Sequence, residues 1–371
     1  MELSFIDCSV AKKTSGDAFA SPKFVGQSQA NLPFAGGLIV PALDSLIGPF
    51  STGPTGGFVA TLKWPLNVPP GVMSFWQILI ADAGAAMGWA ATNALQSTTP
   101  TQVGGSFPVD WIYGGDCAND PPIQVHRYND DTFILRQSMC TNFEGPFLYL
   151  LFGEDKVLLE DTGAGGIPIA TTVYDIIDDW LLEHGKTSIE LVVAHSHGHG
   201  DHVQGDSQFA QQPNTTIVET SQAAVAGFFG ISPWPTEIET YDLGGRVLDV
   251  LAIPGHQAAH IAFYDRNTGL VLTGDSLYPG FLFLSAANWN TYRDSISRLR
   301  DFLADKPIAW VLGTHVEMKA TPFQAYPYGT KNQPEERSLQ LERKHLQELD
   351  DALDLLPTAT TEIHADFIIN G

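Results

Sequence analysis

One short segment concentrates the residues that could do chemistry. Residues 195–202 read His-Ser-His-Gly-His-Gly-Asp-His, so four histidines and one aspartate fall within eight positions, directly after an apolar run. Imidazole and carboxylate groups are ligands for zinc and similar ions. His197 and His199 share one face of an extended backbone, while Asp201 and His202 can point at a second, adjacent position. The segment therefore predicts a metal site.

Regular elements after residue 122 must hold this segment in place. Apolar and alternating runs predict strands, and longer periodic runs predict helices. The predicted strands are 123–128, 132–137, 147–152, 157–161, 188–194, 215–219, 246–253, 261–264, 270–273 and 308–312. The predicted helices are 171–184, 221–228, 288–303 and 334–355. This order predicts an α/β fold in which two sheets pack between helices as an αββα sandwich.

The first 110 residues differ in composition from the rest of the chain. They are rich in Gly, Pro, Ser and Thr and contain only four basic residues. Short runs at 57–64 and 74–81 predict short strands bounded by turns. We predict that residues 1–110 form a β-rich extension or a small β-sandwich and that residues 111–371 form the domain with the histidines. A Gly- and Pro-rich linker is expected at 100–122.

Composition restricts the class of partner. The chain has 371 residues, and 42 acidic against 19 basic residues give a net charge of -23. Binding phosphate needs clustered Lys and Arg, so this balance argues against nucleic acid and anionic membranes as partners. No run of about 18 apolar residues predicts a transmembrane helix. The N-terminus lacks the basic start and apolar run of a signal peptide.

The cysteines and the N-terminal runs bear on the compartment. Cys8, Cys117 and Cys140 have no partner at the spacing of a zinc site. Cys117 and Cys140 flank the first predicted strands of the main domain and could pair, with three free thiols as the alternative. Segments 75–82 and 91–95 resemble repeat-type β segments of secreted bacterial proteins. We expect a secreted or periplasmic location rather than a cytoplasmic one.

The histidine segment has a family likeness. His197-Gly-His199-Gly-Asp201-His202 resembles the H-x-H-x-D-H signature of the metallo-β-lactamase superfamily. Further likenesses follow in the family's order at Pro254-Gly255-His256, Thr273-Gly274-Asp275 and Gly313-Thr314-His315. The likeness extends over residues 125–355 and implies the metallo-β-lactamase fold.

The resemblance implies a centre for two divalent ions, most readily zinc, with manganese or iron as alternatives. Its ligands to the first ion are His197, His199 and His256. Its ligands to the second ion are Asp201, His202 and His315, and Asp275 bridges the two. Such ions lie about 3.5–4 Å apart, so carboxylates must offset their charge, and a shared water serves as the nucleophile.

Three more polar residues are expected to support the site without binding metal. Asp161 resembles the family's early buried aspartate and should orient a ligand. His195 precedes the motif, and a frame that uses His195 as a ligand is rejected because only the 197–202 frame ends in Asp-His. His260 should form a hydrogen bond near the site.

Several activities occur in this superfamily. The oxygen reductases need Glu where this chain has His199, and Asp275 disfavours the zinc β-lactamases. The acidic balance disfavours the nucleases. Glyoxalase-type thioesterases carry a C-terminal basic set for glutathione. The basic residues after His315 are Lys319, Lys331, Arg337, Arg343 and Lys344.

Tyr278 favours one activity. It lies three residues after Asp275 and resembles a tyrosine of the metal-dependent N-acyl-homoserine lactonases that binds the reacting carbonyl; a core or rim position is the alternative. The apolar residues 281–284 either line an acyl pocket or pack. We predict a metal-dependent hydrolase of a carboxylic ester, lactone or thioester, with Asp201 and Tyr278 as catalytic residues. A lactonase or esterase is favoured over a β-lactamase or a glyoxalase-type thioesterase.

The predicted partner is a small-molecule ester- or lactone-type substrate, and a homodimer is left open. A hypothesis of another class is a surface interaction protein in which residues 1–110 bind and the metal site is a relic. The intact set of ligands argues against a relic, because buried charges have no physical reason to persist without a metal.

Overall fold

The computed structural model describes residues 102–371 in full and, before them, the backbone of eight strands. The chain divides into two units, residues 1–102 and 103–371. The strands of the first unit are β1 (Phe19–Gly26), β2 (Gln29–Phe34), β3 (Gly37–Pro41), β4 (Ser45–Ile47), β5 (Phe50–Ser51), β6 (Met73–Ala81), β7 (Trp89–Ala91) and β8 (Leu95–Thr98). β1 pairs with β4, β5 and β6, β6 also pairs with β7 and β8, and β2 pairs with β3.

Two predictions fall in this first unit. The predicted strand 74–81 lies within β6, whereas the predicted strand 57–64 lies outside the described residues. The choice between an extension and a β-sandwich stays a prediction.

Two large sheets form the centre of the second unit. The first sheet contains β9 (Ile123–Asn129), β10 (Thr132–Gln137), β11 (Phe147–Phe152), β12 (Lys156–Glu160), β13 (Glu190–Ala194) and β14 (Thr215–Ile217), in that spatial order. The second contains β15 (Ile238–Asp242), β16 (Val247–Ala252), β17 (Ile261–Asp265), β18 (Leu270–Gly274) and β20 (Trp310–Gly313). A small third sheet joins β19 (Phe281–Phe283), β22 (Ile368–Asn370) and β21 (Glu362–Ile363).

The second unit has five α-helices. They are α1 (Ile169–Glu183), α2 (Gly200–Val203), α3 (Gln222–Phe229), α4 (Trp289–Leu303) and α5 (Arg343–Leu355). The buried residues of α3, Val225 and Phe229, belong to the core between the sheets. The α1 helix packs on the first sheet, and α4 and α5 pack on the second. This is the αββα sandwich of the metallo-β-lactamase fold, and the predicted fold class is confirmed. Within the described residues, each helix is too short or too polar to cross a bilayer.

Alternating side chains explain why the central strands read as continuous apolar runs. In β12, Leu158 faces the core between the sheets, together with Val250 of the second sheet. The next residue, Leu159, faces α1 and packs with Trp180. All three leucine and valine side chains are fully buried, and each such burial stabilises the fold by about 1.5–3 kcal/mol. Strands buried on both faces therefore lose the polar alternation of an exposed sheet.

The structure corrects two predicted segments. Residues 334–342 are not helical: α5 begins at Arg343, and the chain before it forms isolated bridges to the sheet, including Leu341 with Val311. The predicted linker is packed from residue 103 onward, because the Val103 amide donates to Asn267 and the Phe107 ring lies against the inter-sheet core. The short strands β15, β19, β21 and β22 were not predicted.

Cys117 and Cys140 form a disulfide. This bond ties the segment before β9 to the loop between β10 and β11. The sequence left open a Cys117–Cys140 pair or three free thiols, and the structure has the pair.

Candidate metal centre

The predicted ligands come together because they follow strand ends at one edge of the sandwich. β13 ends at Ala194 just before the histidine segment, and β18 and β20 end at Gly274 and Gly313, just before Asp275 and Thr314. β12 pairs in parallel with β13, and β18 with β20. Parallel neighbours have their carboxyl ends at the same edge of a sheet, so residues far apart in sequence meet there.

Two glycines permit this close approach. Gly274 has φ of 50°, and a Cβ at this position would lie 2.5 Å from Nε2 of His260. Gly255 has φ of 146°, and a Cβ there would lie 2.4 Å from the backbone of Tyr292 in α4. Any other residue would push Gly274 away from His260 or Gly255 away from α4, and would so displace the adjacent Asp275 or His256.

The first ligand group consists of His197, His199 and His256. Nδ1 of His199 lies 2.9 Å from Nε2 of His197 and 3.0 Å from Nε2 of His256. These three nitrogens lie within 4.8 Å of one another and could hold a metal ion. His197 is buried, whereas His199 is exposed, so this group opens to solvent.

The second group consists of Asp201, His202, His315 and Asp275, whose ligand atoms also lie within 4.8 Å of one another. Oδ2 of Asp201 lies 3.3 Å from Nε2 of His202 and 3.2 Å from Nε2 of His315. Asp275 lies between the groups, because its Oδ2 is 3.5 Å from Nε2 of both His202 and His256. The structure thus brings together all seven predicted ligands, and the assignment of metal ions to them stays a prediction.

The outer nitrogen of three histidines donates to an oxygen that can only accept. Nδ1 of His202 donates to Asp161 at 2.7 Å, Nδ1 of His256 to the Phe283 carbonyl at 2.9 Å, and Nδ1 of His315 to the Glu144 carbonyl at 3.0 Å. A neutral imidazole has one N–H, so in each ring Nε2 keeps the lone pair that a metal needs. Nε2 of His202 is buried without a hydrogen-bond partner. An inward lone pair of this kind fits a cation.

Asp161 organises the start of the histidine segment. Its fully buried carboxylate accepts hydrogen bonds from the Ser196 amide at 2.8 Å and the Ser196 hydroxyl at 2.9 Å, in addition to His202. Its φ of 69° lies in the left-handed region, which a non-glycine residue occupies only at a cost of about 1–3 kcal/mol. The three hydrogen bonds offset that cost and fix the ring of His202.

The electrostatics of the two groups differ. Burial lowers the pKa of His197 well below its usual value, and the nearby His202 lowers it further. Burial also acts against protonation of His315, but the carboxylates of Asp275 and Asp201 outweigh it and raise the pKa to about 10. Burial alone would raise the pKa of Asp275, yet His315 and His202 hold it well below the usual range. The Asp275 carboxylate is therefore ionised, as metal binding requires, and a metal ion would have to displace the Nε2 proton of His315.

The structure places His195 and His260 outside the ligand groups. Nε2 of His195 lies 2.9 Å from Oδ1 of Asp206. His260 stacks on His197 at 4.7 Å between ring centroids, and its Nδ1 lies 3.3 Å from the Ser276 hydroxyl. Both support the loop that carries the ligands.

Tyr278 has a backbone partner. Its side chain is buried, its ring centroid lies 5.5 Å from that of His315, and its hydroxyl donates to the Phe281 carbonyl. In this conformation the hydroxyl faces its own loop, and its catalytic role stays a prediction. Of the apolar run that follows, Leu282 and Leu284 are buried and Phe283 is 39% exposed.

Four further residues lie near His315, directly or through one another, and were not predicted: Phe143, Glu144, Glu317 and Tyr328. Glu144 supports His315 through its backbone, and its side chain accepts a hydrogen bond from Tyr328 at 3.1 Å. Burial raises the pKa of Glu317 to about 7, and its carboxylate accepts from the Phe281 amide at 2.8 Å. The sequence could have indicated Glu317 through its position two residues after His315. It gave no indication of the other three residues.

Comparison with known proteins tests the family likeness. Residues 142–315 match the sequence profile of the metallo-beta-lactamase superfamily, a range that includes all seven predicted ligands. The match covers the part of the chain that carries both ligand groups, and it confirms the resemblance seen in the sequence.

Among curated relatives, the chain is similar to hydroxyacylglutathione hydrolases. One from Synechococcus sp. strain JA-3-3Ab is 34% identical over 29% of this chain and 42% of its own length. Another from Synechococcus sp. strain JA-2-3B'a(2-13) is 35% identical over 36% of this chain and 50% of its own. The chain thus spans half or less of the length of these two relatives.

Among solved structures, the chain is similar to a metallo-beta-lactamase from Pontibacter korlensis. The two are 16% identical with a TM-score of 0.43, over 63% of this chain and 100% of the other. A metallo-beta-lactamase from Erythrobacter litoralis is 15% identical with a TM-score of 0.42, over 64% and 99%.

Proposed function

We propose that this chain is a metal-dependent hydrolase that binds two divalent ions, most readily zinc, and cleaves a carboxylic ester, thioester or lactone. The observation that supports this most directly is the pair of ligand groups on either side of Asp275, each with ligand atoms within 4.8 Å of one another. Manganese and iron also accept this set of imidazoles and carboxylates.

The residues suit such ions in both chemistry and charge. Asp201 and Asp275 offset part of the charge of two divalent cations, and the histidines offer neutral nitrogens held by outer hydrogen bonds. Bound ions would polarise the substrate carbonyl and lower the pKa of a water molecule. Thr314 donates to Oδ1 of Asp275, which leaves Oδ2 turned toward His202 and His256.

We assign to Asp201 the role of accepting a proton from water. It is partly exposed, and its Oδ2 faces both His202 and His315. A carboxylate at this position can accept a hydrogen bond from water and hold it beside the substrate carbonyl. Tyr278 could join only if its hydroxyl left the Phe281 carbonyl.

Two substrate classes have specific support. The curated relatives are named hydroxyacylglutathione hydrolases, which favours a thioester. The position of Tyr278 three residues after Asp275 favours a lactone. Both reactions are acyl transfer to water at one carbonyl, so one centre can serve either.

Metal analysis and a substrate panel test this proposal. Purified protein should hold two equivalents of zinc or manganese and should turn over at least one member of a lactone, thioester and aryl ester panel. His197→Ala should abolish turnover and reduce the bound metal, whereas His184→Ala, which follows the last residue of α1 and lies outside both ligand groups, should change neither. Full metal occupancy without turnover across the panel would refute the hydrolase proposal.

The interaction hypothesis is tested by removal of the first unit. Lost binding to cells or surfaces with unchanged turnover would identify the first unit as a binding module. Turnover itself would exclude a relic site.

We also propose an oxidising compartment, secreted or periplasmic. The Cys117–Cys140 bond supports this, since structural disulfides persist where thiols are not kept reduced. Fractionation of the native host would test it, and recovery of the protein with both thiols free in the cytosol would contradict it.

A further inference from the structure

Three aromatic rings stand in contact beside the metal centre. Tyr328 lies between the other two, with its ring centroid 5.3 Å from that of Phe143 and 5.8 Å from that of Phe283. Tyr328 is 63% exposed and Phe283 is 39% exposed. We call these three residues the aromatic rim. Exposed rings in contact offer an apolar surface that water covers poorly.

The aromatic rim is continuous with both ligand groups. The Phe283 carbonyl holds His256 of the first group, at 2.9 Å from its Nδ1. The Glu144 carbonyl, one residue after Phe143, holds His315 of the second group at 3.0 Å. The rings therefore extend from one side of the centre to the other, on the loops that support its histidines.

One polar contact holds the aromatic rim in place. The Tyr328 hydroxyl donates to the Glu144 carboxylate at 3.1 Å. This contact keeps the Tyr328 ring beside the loop whose backbone supports His315.

We propose that Phe143, Phe283 and Tyr328 bind an uncharged, apolar acyl group of the substrate beside the metal centre. This rests on the proposed hydrolase function and specifies its substrate class. The rings contact the acyl chain, and the carbonyl lies over the ligand groups.

Matched esters test this choice. We would compare p-nitrophenyl acetate, p-nitrophenyl phenylacetate and the anionic p-nitrophenyl hemisuccinate, which share one leaving group. The zinc-loaded full chain should prefer phenylacetate over acetate by at least about tenfold in kcat/KM, the scale of apolar pocket selectivity. Equal rates for phenylacetate and acetate, or faster cleavage of the hemisuccinate than of the phenylacetate, would overturn the proposal.

Variants assign the selectivity to the aromatic rim. Tyr328→Ala and Phe283→Ala should reduce the preference for phenylacetate over acetate, measured as the ratio of the two kcat/KM values, to about twofold or less. Tyr328→Phe keeps the ring and should keep the preference. Phe323→Ala removes another exposed aromatic ring, 62% exposed, and serves as the control. A preference that survives both alanine variants would refute the role of the rings.

A binding measurement separates this proposal from the hydrolase proposal. Phenylacetamide is a neutral amide of the same acyl group, and saturation-transfer NMR reports its binding without turnover. Binding to the wild type that is lost in Tyr328→Ala supports the acyl site even if no ester is cleaved. Absence of binding to the wild type counts against the acyl site even if esters are cleaved.

Discussion

Replacement of Asp161 by asparagine should weaken binding of the second metal ion and leave the fold intact. The carboxylate accepts three hydrogen bonds, from the amide and hydroxyl of Ser196 and from Nδ1 of His202 at 2.7 Å. An asparagine amide has one accepting oxygen and one donating nitrogen. If the nitrogen faces His202, it donates to Nδ1 and the ring proton moves to Nε2, the atom that must bind metal. If the amide is reversed, its N–H groups meet the Ser196 N–H.

The size of the effect follows from these contacts. Loss of an outer hydrogen bond to a metal-binding histidine reduces metal affinity about 10–100-fold, which corresponds to about 1.4–2.7 kcal/mol. The mismatch at Ser196 should cost the fold about a further 1–3 kcal/mol. His199 and His256 belong to the other group, so the first ion should bind within about twofold of the wild-type affinity.

Competition with a chromophoric zinc chelator measures the two affinities, and circular dichroism verifies the fold. Glu160→Gln is the matched control, because Glu160 is the preceding residue, is also fully buried, and has carboxylate oxygens without a hydrogen-bond partner. The reasoning is refuted if folded Asp161→Asn binds both ions as tightly as the wild type. It is also refuted if Glu160→Gln weakens the second ion equally.

Three further outcomes are expected. Burial raises the pKa of Glu160 well above its usual value. The folded state therefore keeps a proton that the unfolded state releases. The free energy of unfolding of the wild type should fall as the pH rises above about 4.3, by at most about 1.4 kcal/mol per pH unit. Glu160→Gln should remove this slope in urea titrations between pH 5 and 8, and parallel pH profiles would contradict it. Cys117→Ser with Cys140→Ser opens a loop with a sequence separation of 23 and should lower the free energy of unfolding by about 3 kcal/mol, seen as a lower urea midpoint; an unchanged midpoint would argue against it. Removal of residues 1–110 takes away a ring packed on the core and should lower the Tm of the second unit by several degrees more than removal of residues 1–102. Equal Tm values for the two deletions in calorimetry would show that this ring is not needed.

The sequence predicts the central strands well because burial on both faces leaves apolar runs with few alternatives. The predicted strands 132–137 and 147–152 coincide with β10 and β11. The predicted helix 334–355 is wrong in its first nine residues for the opposite reason. Glu336 forms a buried ion pair with Arg136, and the two are 200 residues apart in sequence. No local pattern reports a partner at that distance, so charge periodicity suggested a solvated helix.

The candidate site also contains residues that the sequence predicts and residues that it does not. The ligands could be located from sequence because each follows a strand end, and imidazole and carboxylate groups in that context are rare. Glu144 and Phe283 could not be located from the sequence, since they support the histidines through backbone carbonyls, which every residue type possesses. Asp161 lies between these cases: its position after an apolar strand was visible, but its hydrogen bonds to Ser196 and His202 were not.

The backbone support of the histidines links substrate choice to metal affinity. Phe283 carries a rim ring on its side chain and holds His256 with its carbonyl; Glu144 binds Tyr328 with its side chain and holds His315 with its carbonyl. A change that moves either loop to admit another acyl group also moves a hydrogen-bond acceptor of a metal-binding ring. Mutations that move either loop and so change the preferred acyl group should therefore alter zinc affinity together with kcat/KM. Side-chain truncations that leave the carbonyls in place should change selectivity alone.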